Sequence, residues 1–408
     1  MKLTDDVLAG LDQALADDDA ARTQRYPGPP AGRQPVHTAY VPADLFSPQT
    51  PLVWGTAALT AMDEFGPLPG TSSEIEDRVR AKLVAEPIED VRIDFEDGYG
   101  LRSDAEEDRD VLTAADALAQ LLSTGSAPPF SGLRMKSFEG PELRRRGVRT
   151  LDAFIGALLD SGGWIPPGFR VTLPKVTSVP QVEAMAVLCS ALEAAYGIEP
   201  LRLELQVETP QAILGADGTA LIAPMIHATA GRCVGLHYGT YDYSASVGVA
   251  AAFQSMEHSA ADYAKSVMQV AAAGTGVAVS DGSTNILPIG DRAQVQSAWE
   301  LHSRLVTRSL ERAFYQGWDL HPAQLPTRFA ATYTFYRQGV QAAGERLRNY
   351  LGRAASGVLD EPATAAALAG YLVRGLDAGA VDEAEVRSTS GVERDELERL
   401  MRRTPATR

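Results

Sequence analysis

Short runs of alternating apolar and polar residues recur along this chain, separated by longer runs with helical spacing. The clearest is LRLELQVETP at residues 201–210. Leu201, Leu203, Leu205 and Val207 are apolar, Arg202, Glu204, Gln206 and Glu208 are polar, and Thr209-Pro210 ends the pattern. A period of two marks a strand whose two faces meet different surroundings. Similar runs lie at 38–43, 91–97, 132–138, 170–176, 233–239, 276–281 and 318–322, which makes eight. Between them, stretches such as EEDRDVLTAADALAQLLS and VPQVEAMAVLCSALEAAYG repeat at helical spacing. Strands separated by helices build parallel βα units. Eight units predict an α/β fold, a closed (β/α)8 TIM barrel. A doubly wound open sheet is the alternative, because strand counts from sequence err by one or two.

The two ends depart from this rhythm. Residues 1–24 form an acidic helix that reads as amphipathic, and RYPGPPAGRQP follows as a Pro/Gly linker. The predicted divisions are an N-terminal helical arm and linker (1–36), the barrel (37–325) and a strandless C-terminal helical extension or lid (326–408).

In a barrel ringed by helices, one face of each strand packs on helices and the other points inward. Glu204, Gln206 and Glu208 therefore face the interior with Arg202, as do Arg92, Asp94 and Glu96 in VRIDFED, Arg134 and Lys136 in LRMK, and Asp319 and His321 in WDLH. Buried charges are costly unless paired or metal-bound. Arg92, Arg202 and Glu204, deep in their strands, are expected to be internal ion pairs. Glu96, Arg134, Lys136, Glu208 and His321 lie at carboxyl ends, where barrel active sites are built. Glu208 ends the fifth strand and Asp242 follows the sixth, so two carboxylates meet. Like charges raise one another's pKa. A hard divalent cation relieves the conflict, and two carboxylates plus waters suit Mg²⁺, with Mn²⁺ as a substitute. A pair of solvated loop acids is the plainer alternative.

Composition narrows the classes. The 408 residues are 45% hydrophobic and 22% charged, ordinary for a globular chain, with net charge −16. An acidic surface argues against nucleic-acid and anionic-membrane partners but leaves room for a small anionic substrate in a locally positive pocket. Cys189 and Cys233 fit neither a disulfide framework nor a zinc spacing. No leader-like apolar segment opens the chain and no run approaches the roughly 18 residues of a membrane span, so a cytoplasmic location is expected.

RIDFEDGYG, LRMK, LPKV, ELQVETPQAIL, GLHYGTYDYSASVG, AVSDG and DLHPAQL follow one another within residues 38–325. In that order they resemble the citrate lyase β-subunit/malyl-CoA lyase/2-oxo acid aldolase superfamily, phosphoenolpyruvate/pyruvate-type TIM barrels. The resemblance rests on the order, since each motif alone is weak. It implies Glu208 and Asp242 as metal ligands and Arg134 as the holder of a substrate carbonyl or enolate oxygen. It places Asp94, Glu96 and Asp97 near the metal's waters or the arginine. Gly239, Thr240, Tyr241 and Asp242 match a turn whose amides hold a substrate carboxylate. Gln206 is similar to the glutamine of the oxo-acid aldolase branch, and Thr209, opening the next helix at the mouth, joins the expected substrate-binding set. SGVLDEPATAAA resembles a lid motif in which Asp360 acts as acid or base in a neighbouring subunit. The same segment also reads as a helix start, with Asp360 as N-cap and Pro362 in the first turn. Lys136 stands where the superfamily has Asn, either to bind an extra anionic group or to pair with Glu96, and Tyr243 is expected to alter the pocket wall.

The implied activity is a Mg²⁺-dependent carbon–carbon lyase, making or breaking a bond through a metal-stabilised enolate of a 2-oxo acid or acyl-CoA. A synthase or thioesterase acting on acyl-CoA, and a non-catalytic metabolite-binding barrel, are the alternatives. Relatives imply a homo-oligomer, trimer or hexamer. For a coenzyme A thioester the sequence holds only weak features: LRRRG at 143–147, which also reads as a solvated helix face, and SDGSTNILPIGD. His321 suits either acid–base work or a structural hydrogen bond, and His237 suits packing.

Overall fold

The computed structural model describes residues 4–352 and 361–402. Its strands are β1 (His37–Pro42), β2 (Asp90–Asp94), β3 (Phe130–Arg134), β4 (Phe169–Leu173), β5 (Arg202–Val207), β6 (Cys233–Tyr238), β7 (Ala278–Ser280) and β8 (Gly317–Asp319). All neighbours pair in parallel, in the order β7-β6-β5-β4-β3-β2-β1-β8. A bridge between Ser280 and Gln316 joins β7 to the approach to β8, and the Asp281 amide donates to the Gln316 carbonyl at 2.8 Å. The ring is therefore a barrel and not an open doubly wound sheet.

Val91, Ile93, Leu133, Val171, Leu203 and Leu205 turn outward and are buried against helices through Leu118, Phe154 and Met185. Each buried aliphatic side chain contributes about 1.5–3 kcal/mol. Inside, Gly132 on β3 matters for what it lacks: a Cβ there would lie 1.9 Å from the Arg170 carbonyl and 2.2 Å from the Arg92 guanidinium. Only glycine leaves Arg92 its place across the interior.

Four expectations change. In β8 the inward face carries Trp318, not Asp319: Thr38 pairs in register with Trp318 and hydrogen-bonds inward to Asp90, while Asp319 turns to Arg328 at 2.9 Å and His302 at 3.3 Å on the surrounding helices. Arg202 is exposed at the base of β5 and makes no ion pair among the described residues. The helix Asp5–Arg25 buries no residue, and its Leu8, Leu11 and Leu15 are exposed among the described residues. The boundary at 325 also falls inside one structural unit. Helix Leu325–Leu351 begins as the barrel's eighth helix, with Leu325, Phe329 and Tyr333 in the main core. Its second half, through Val340 and Leu347, shares a separate small core with helices Pro362–Asp377, Glu383–Ser390 and Arg394–Met401.

These last helices are tied to the barrel's flank by Arg78–Asp382 at 2.8 Å and Arg337–Glu74 at 2.6 Å. Val373, Arg374 and Asp377 line a crevice with Pro30, Gln34 and Tyr315, which lead into β1 and β8 from their amino ends. The linker is pinned at the same end, where the Gly28 amide donates to Gly274 and the Gly276 amide to Gly28, each at 2.9 Å.

Candidate active site

The barrel interior has a floor and a mouth. At the floor, Arg92 lies 2.8 Å from Asp90 and 2.9 Å from Glu204, and Arg170 lies 2.9 Å from the other oxygen of Glu204. Thr172 donates to Glu204 at 3.2 Å, and the His237 Nε2 atom lies 3.4 Å from it. The Trp318 indole N–H donates to His237 Nδ1 at 3.1 Å, so the neutral ring carries its proton on Nε2, toward Glu204. Burial alone would raise the Glu204 carboxyl; Arg92, His237 and Arg170 outweigh it and hold the group well below the usual carboxylate range. The expected pairing of Arg92 with Glu204 is present.

Above it, a cavity of ≈ 390 Å³ opens at the carboxyl ends of the strands. Asp94, Asp97, Arg134, Glu208 and Asp242 line it, together with Gly239, Thr240 and Tyr241; Tyr40 and Trp318 form an aromatic wall, with rings 4.7 Å apart. Arg134 donates from Nε and Nη2 to the two oxygens of Asp94, at 2.7 and 2.6 Å. Asp94 also accepts the amides of Glu96 at 2.9 Å and Gly98 at 2.8 Å, so four donors hold it. Those four contacts fix Asp94 against Arg134 at the edge of the cavity. The Arg134 Nη1 group remains, 3.4 Å from Glu96 and 3.5 Å from the Gln206 carbonyl oxygen, and the guanidinium lies 4.8 Å from the centre of the Tyr40 ring. Among the described residues, the buried Gln206 amide nitrogen and Thr240 hydroxyl have no hydrogen-bond partner.

Glu208 projects from the end of β5 and is 2% exposed. Its Oε1 accepts the Lys175 amide at 2.8 Å. Its Oε2 lies where a side chain on Gly239 would stand, only 2.3 Å from an added Cβ, so the glycine is what admits the carboxylate. Burial, then the neighbouring charge of Glu96, raises its pKa to about 8 despite Lys175 and Arg134; Asp242 adds to the rise. Burial likewise raises Glu96 to about 7, against the pull of Arg134 and Lys175.

No group of three or more His, Cys, Asp or Glu side chains converges as a metal cage among the described residues. Glu208 and Asp242 nevertheless fit Mg²⁺ in its usual protein mode, one or two carboxylates with the remaining positions left to water and substrate. Both are oxygen donors on one cavity, and their mutual repulsion calls for a cation there.

Four expected site residues stand elsewhere. The Lys136 ammonium donates to the Phe95 and Gly100 carbonyls at 2.7 and 3.1 Å and lies 3.5 Å from Glu107; it fastens the loop after β2 and does not enter the cavity. The chain has left the strand by then, so the inward alternation no longer applies. The Thr209 hydroxyl donates to the Val176 carbonyl at 2.6 Å and accepts from the Ala212 amide, capping a short helix. Tyr243 packs beside Tyr238, with Tyr241 on the cavity wall instead. His321 Nδ1 accepts the Ala323 amide at 3.2 Å, a turn cap. In LRRRG, Arg146 is anchored by Asp108 at 2.8 Å and Glu107 at 3.2 Å, while Arg144 and Arg145 are solvent-facing or nearly so. Asp360 lies outside the described residues, and no described residue beyond Leu320 lines the cavity.

The sequence pattern missed Lys175. Its ammonium contacts Glu96, lies 2.9 Å from both oxygens of Asp97 and 3.5 Å from Asp242. A lysine directly after the Pro that ends a strand, in LPKV, was the available signal. Tyr40 was missed too, although the phase of TAYVPA places it inward.

Residues 15–404 match the family described as a domain of unknown function, DUF6986. The chain belongs to that family. No curated protein matches the sequence. Among solved structures, protein CitE from Mycobacterium tuberculosis, in complex with magnesium, acetoacetate and coenzyme A, is similar at a TM-score of 0.50 and 19% identity, covering 85% of this chain and 99% of that one. The citrate lyase β-subunit of M. tuberculosis, complexed with oxaloacetate and magnesium, aligns at a TM-score of 0.44 and 18% identity, over 74% of this chain and 97% of that one. A magnesium/glyoxylate complex of Haloferax volcanii malate synthase aligns at 0.49 and 13%, over 91% and 99%. The DUF6986 chain thus shares its barrel fold with the CitE protein.

Proposed function

We propose that this protein is a Mg²⁺-dependent carbon–carbon lyase acting on the enolate of a 2-oxo acid, with an acyl-CoA as the alternative enolate source. The observation that carries the proposal is one cavity faced by a guanidinium locked against Asp94 and by the carboxylate pair Glu208 and Asp242. Making or breaking a carbon–carbon bond beside a carbonyl passes through an oxyanion, and preplaced positive charge lowers that barrier. Arg134 presents its Nη1 edge, which has only the longer contacts to Glu96 and Gln206 at 3.4 and 3.5 Å, to a substrate oxygen, and Asp94 prevents the fork from turning away. The Gln206 amide and Thr240 hydroxyl supply further donors for a carboxylate. Tyr40 and Trp318 close one side of the cavity to water. When bound, Mg²⁺ supplies Lewis-acid polarisation of a carbonyl, and Glu208 and Asp242 would hold it. Asp360 as acid or base for a neighbouring subunit, and hence a homo-oligomer, belongs to the same proposal and rests on the lid-motif resemblance.

The test is deuterium exchange at C3 of pyruvate in D₂O, with and without Mg²⁺, run beside a panel of acyl-CoA thioesters. Exchange or thioester turnover that needs Mg²⁺ and disappears in Glu208→Gln is the expected result. Absence of both, with every oxo acid and thioester tried, sinks the proposal.

A further inference from the structure

Lys175 follows β4 in a left-handed backbone conformation, with φ +50°. Side-chain-bearing residues seldom hold that region, and where they do the surroundings enforce it. Here the turn points two parts of one residue at the same cluster of acids. The amide holds Glu208 Oε1 at 2.8 Å. The ammonium reaches Glu96, Asp97 and Asp242. Four carboxylates are thus touched by one lysine. Arg134, with two nitrogens tied to Asp94, reaches this cluster only through Nη1, 3.4 Å from Glu96. The Lys175 side chain is 18% exposed, so its charge is only partly screened by water.

We propose that Lys175 is a positioning residue and a built-in counter-ion of the site. Its amide sets the direction of Glu208. Its ammonium neutralises the acids in the metal-free protein and competes with a divalent cation for them, so that it lowers metal affinity while keeping the empty site folded. This inference rests on the metal site proposed at Glu208 and Asp242.

Competition and simple support have opposite signatures. Lys175→Met keeps an amide and removes the charge. Binding of Mn²⁺, followed by the electron paramagnetic resonance signal of the free ion and by calorimetry, is expected to tighten at least tenfold. Lys175→Arg, which keeps the charge, is expected to stay within about threefold of wild type. The melting temperature of metal-free Lys175→Met is expected to fall, and its rise on adding Mn²⁺ to exceed the wild-type rise. Lys175→Gln repeats the measurement should the Met variant fail to fold. Unchanged or weaker Mn²⁺ binding in folded Met or Gln variants overturns the inference. If in that case wild type binds Mn²⁺ and Glu208→Gln does not, the metal site itself survives. Mn²⁺ binding by none of the proteins, or equally by wild type and Glu208→Gln, overturns the metal site and the inference together.

Discussion

Glu204 lies on β5 and Glu208 just past its end, four residues apart and both buried, yet their surroundings are opposite. At the floor, Glu204 and Asp90 face Arg92 and Arg170, and the Thr172 and Thr38 hydroxyls donate to them. At the mouth, Glu96, Asp97, Glu208 and Asp242 share Lys175, while Arg134 is bound to Asp94 and reaches only Glu96 of the four, at 3.4 Å. One carboxyl is pulled far below its ordinary value, and the other is pushed up to about 8. Burial is common to both. What separates a structural acid from one awaiting a ligand is whether its charge is already answered.

Replacing a residue at each level tests that contrast. The largest effect is expected at the floor: Arg92→Leu leaves Asp90 and Glu204 facing each other and is expected to cost about 3–5 kcal/mol, read by denaturant unfolding. At the mouth, Arg134→Lys cannot hold Asp94 through two nitrogens and reach substrate at once. Its turnover is expected to drop about 10²–10³-fold in the exchange or lyase assay, with a smaller loss of stability. Glu208→Gln should do what no floor substitution does and stabilise the metal-free protein, by about 1–2 kcal/mol at pH 9, since a raised pKa is a penalty on the charged form.

The same difference has a pH signature. In the folded, metal-free protein Glu96 and Glu208 retain protons up to about 7 and about 8, whereas the unfolded chain releases them near 4.5. Between those values the folded state binds more protons, so unfolding becomes easier as pH rises from about 5 to about 8. Melting temperatures of metal-free protein at pH 6 and pH 9 check this, and Glu208→Gln is expected to flatten the decline. The smallest change is expected from Tyr241→Phe. It removes the oxygen that accepts the Asn285 amide at 2.6 Å on the cavity wall. It is expected to raise KM a few-fold with little effect on kcat.

Much of this was legible in the alternation of apolar and polar residues. Eight strands, their parallel order and the inward direction of Asp94, Arg134, Gln206 and Glu208 follow from a period of two and from intervening helices. Where strands end, the rule ends as well. Lys136, two residues past Arg134 and beyond the hydrogen-bonded ladder, turned to a neighbouring loop. In β8 only three residues are paired, too few for a pattern to fix its phase, and Trp318 took the inward side. Lys175 was hidden for a related reason: its role comes from a left-handed turn that no periodicity encodes. Thr209 was legible as a helix cap, and that chemistry won over substrate contact.

Trp318 has one more consequence. Its indole sits in the cavity wall, anchored through His237 to the floor, and the chain's other tryptophans, Trp54, Trp164 and Trp299, do not line that cavity. The molecule therefore carries its own optical probe. Ligand entering the mouth changes the polarity around one fluorophore held in one orientation, so occupancy can be followed by emission in unlabelled protein.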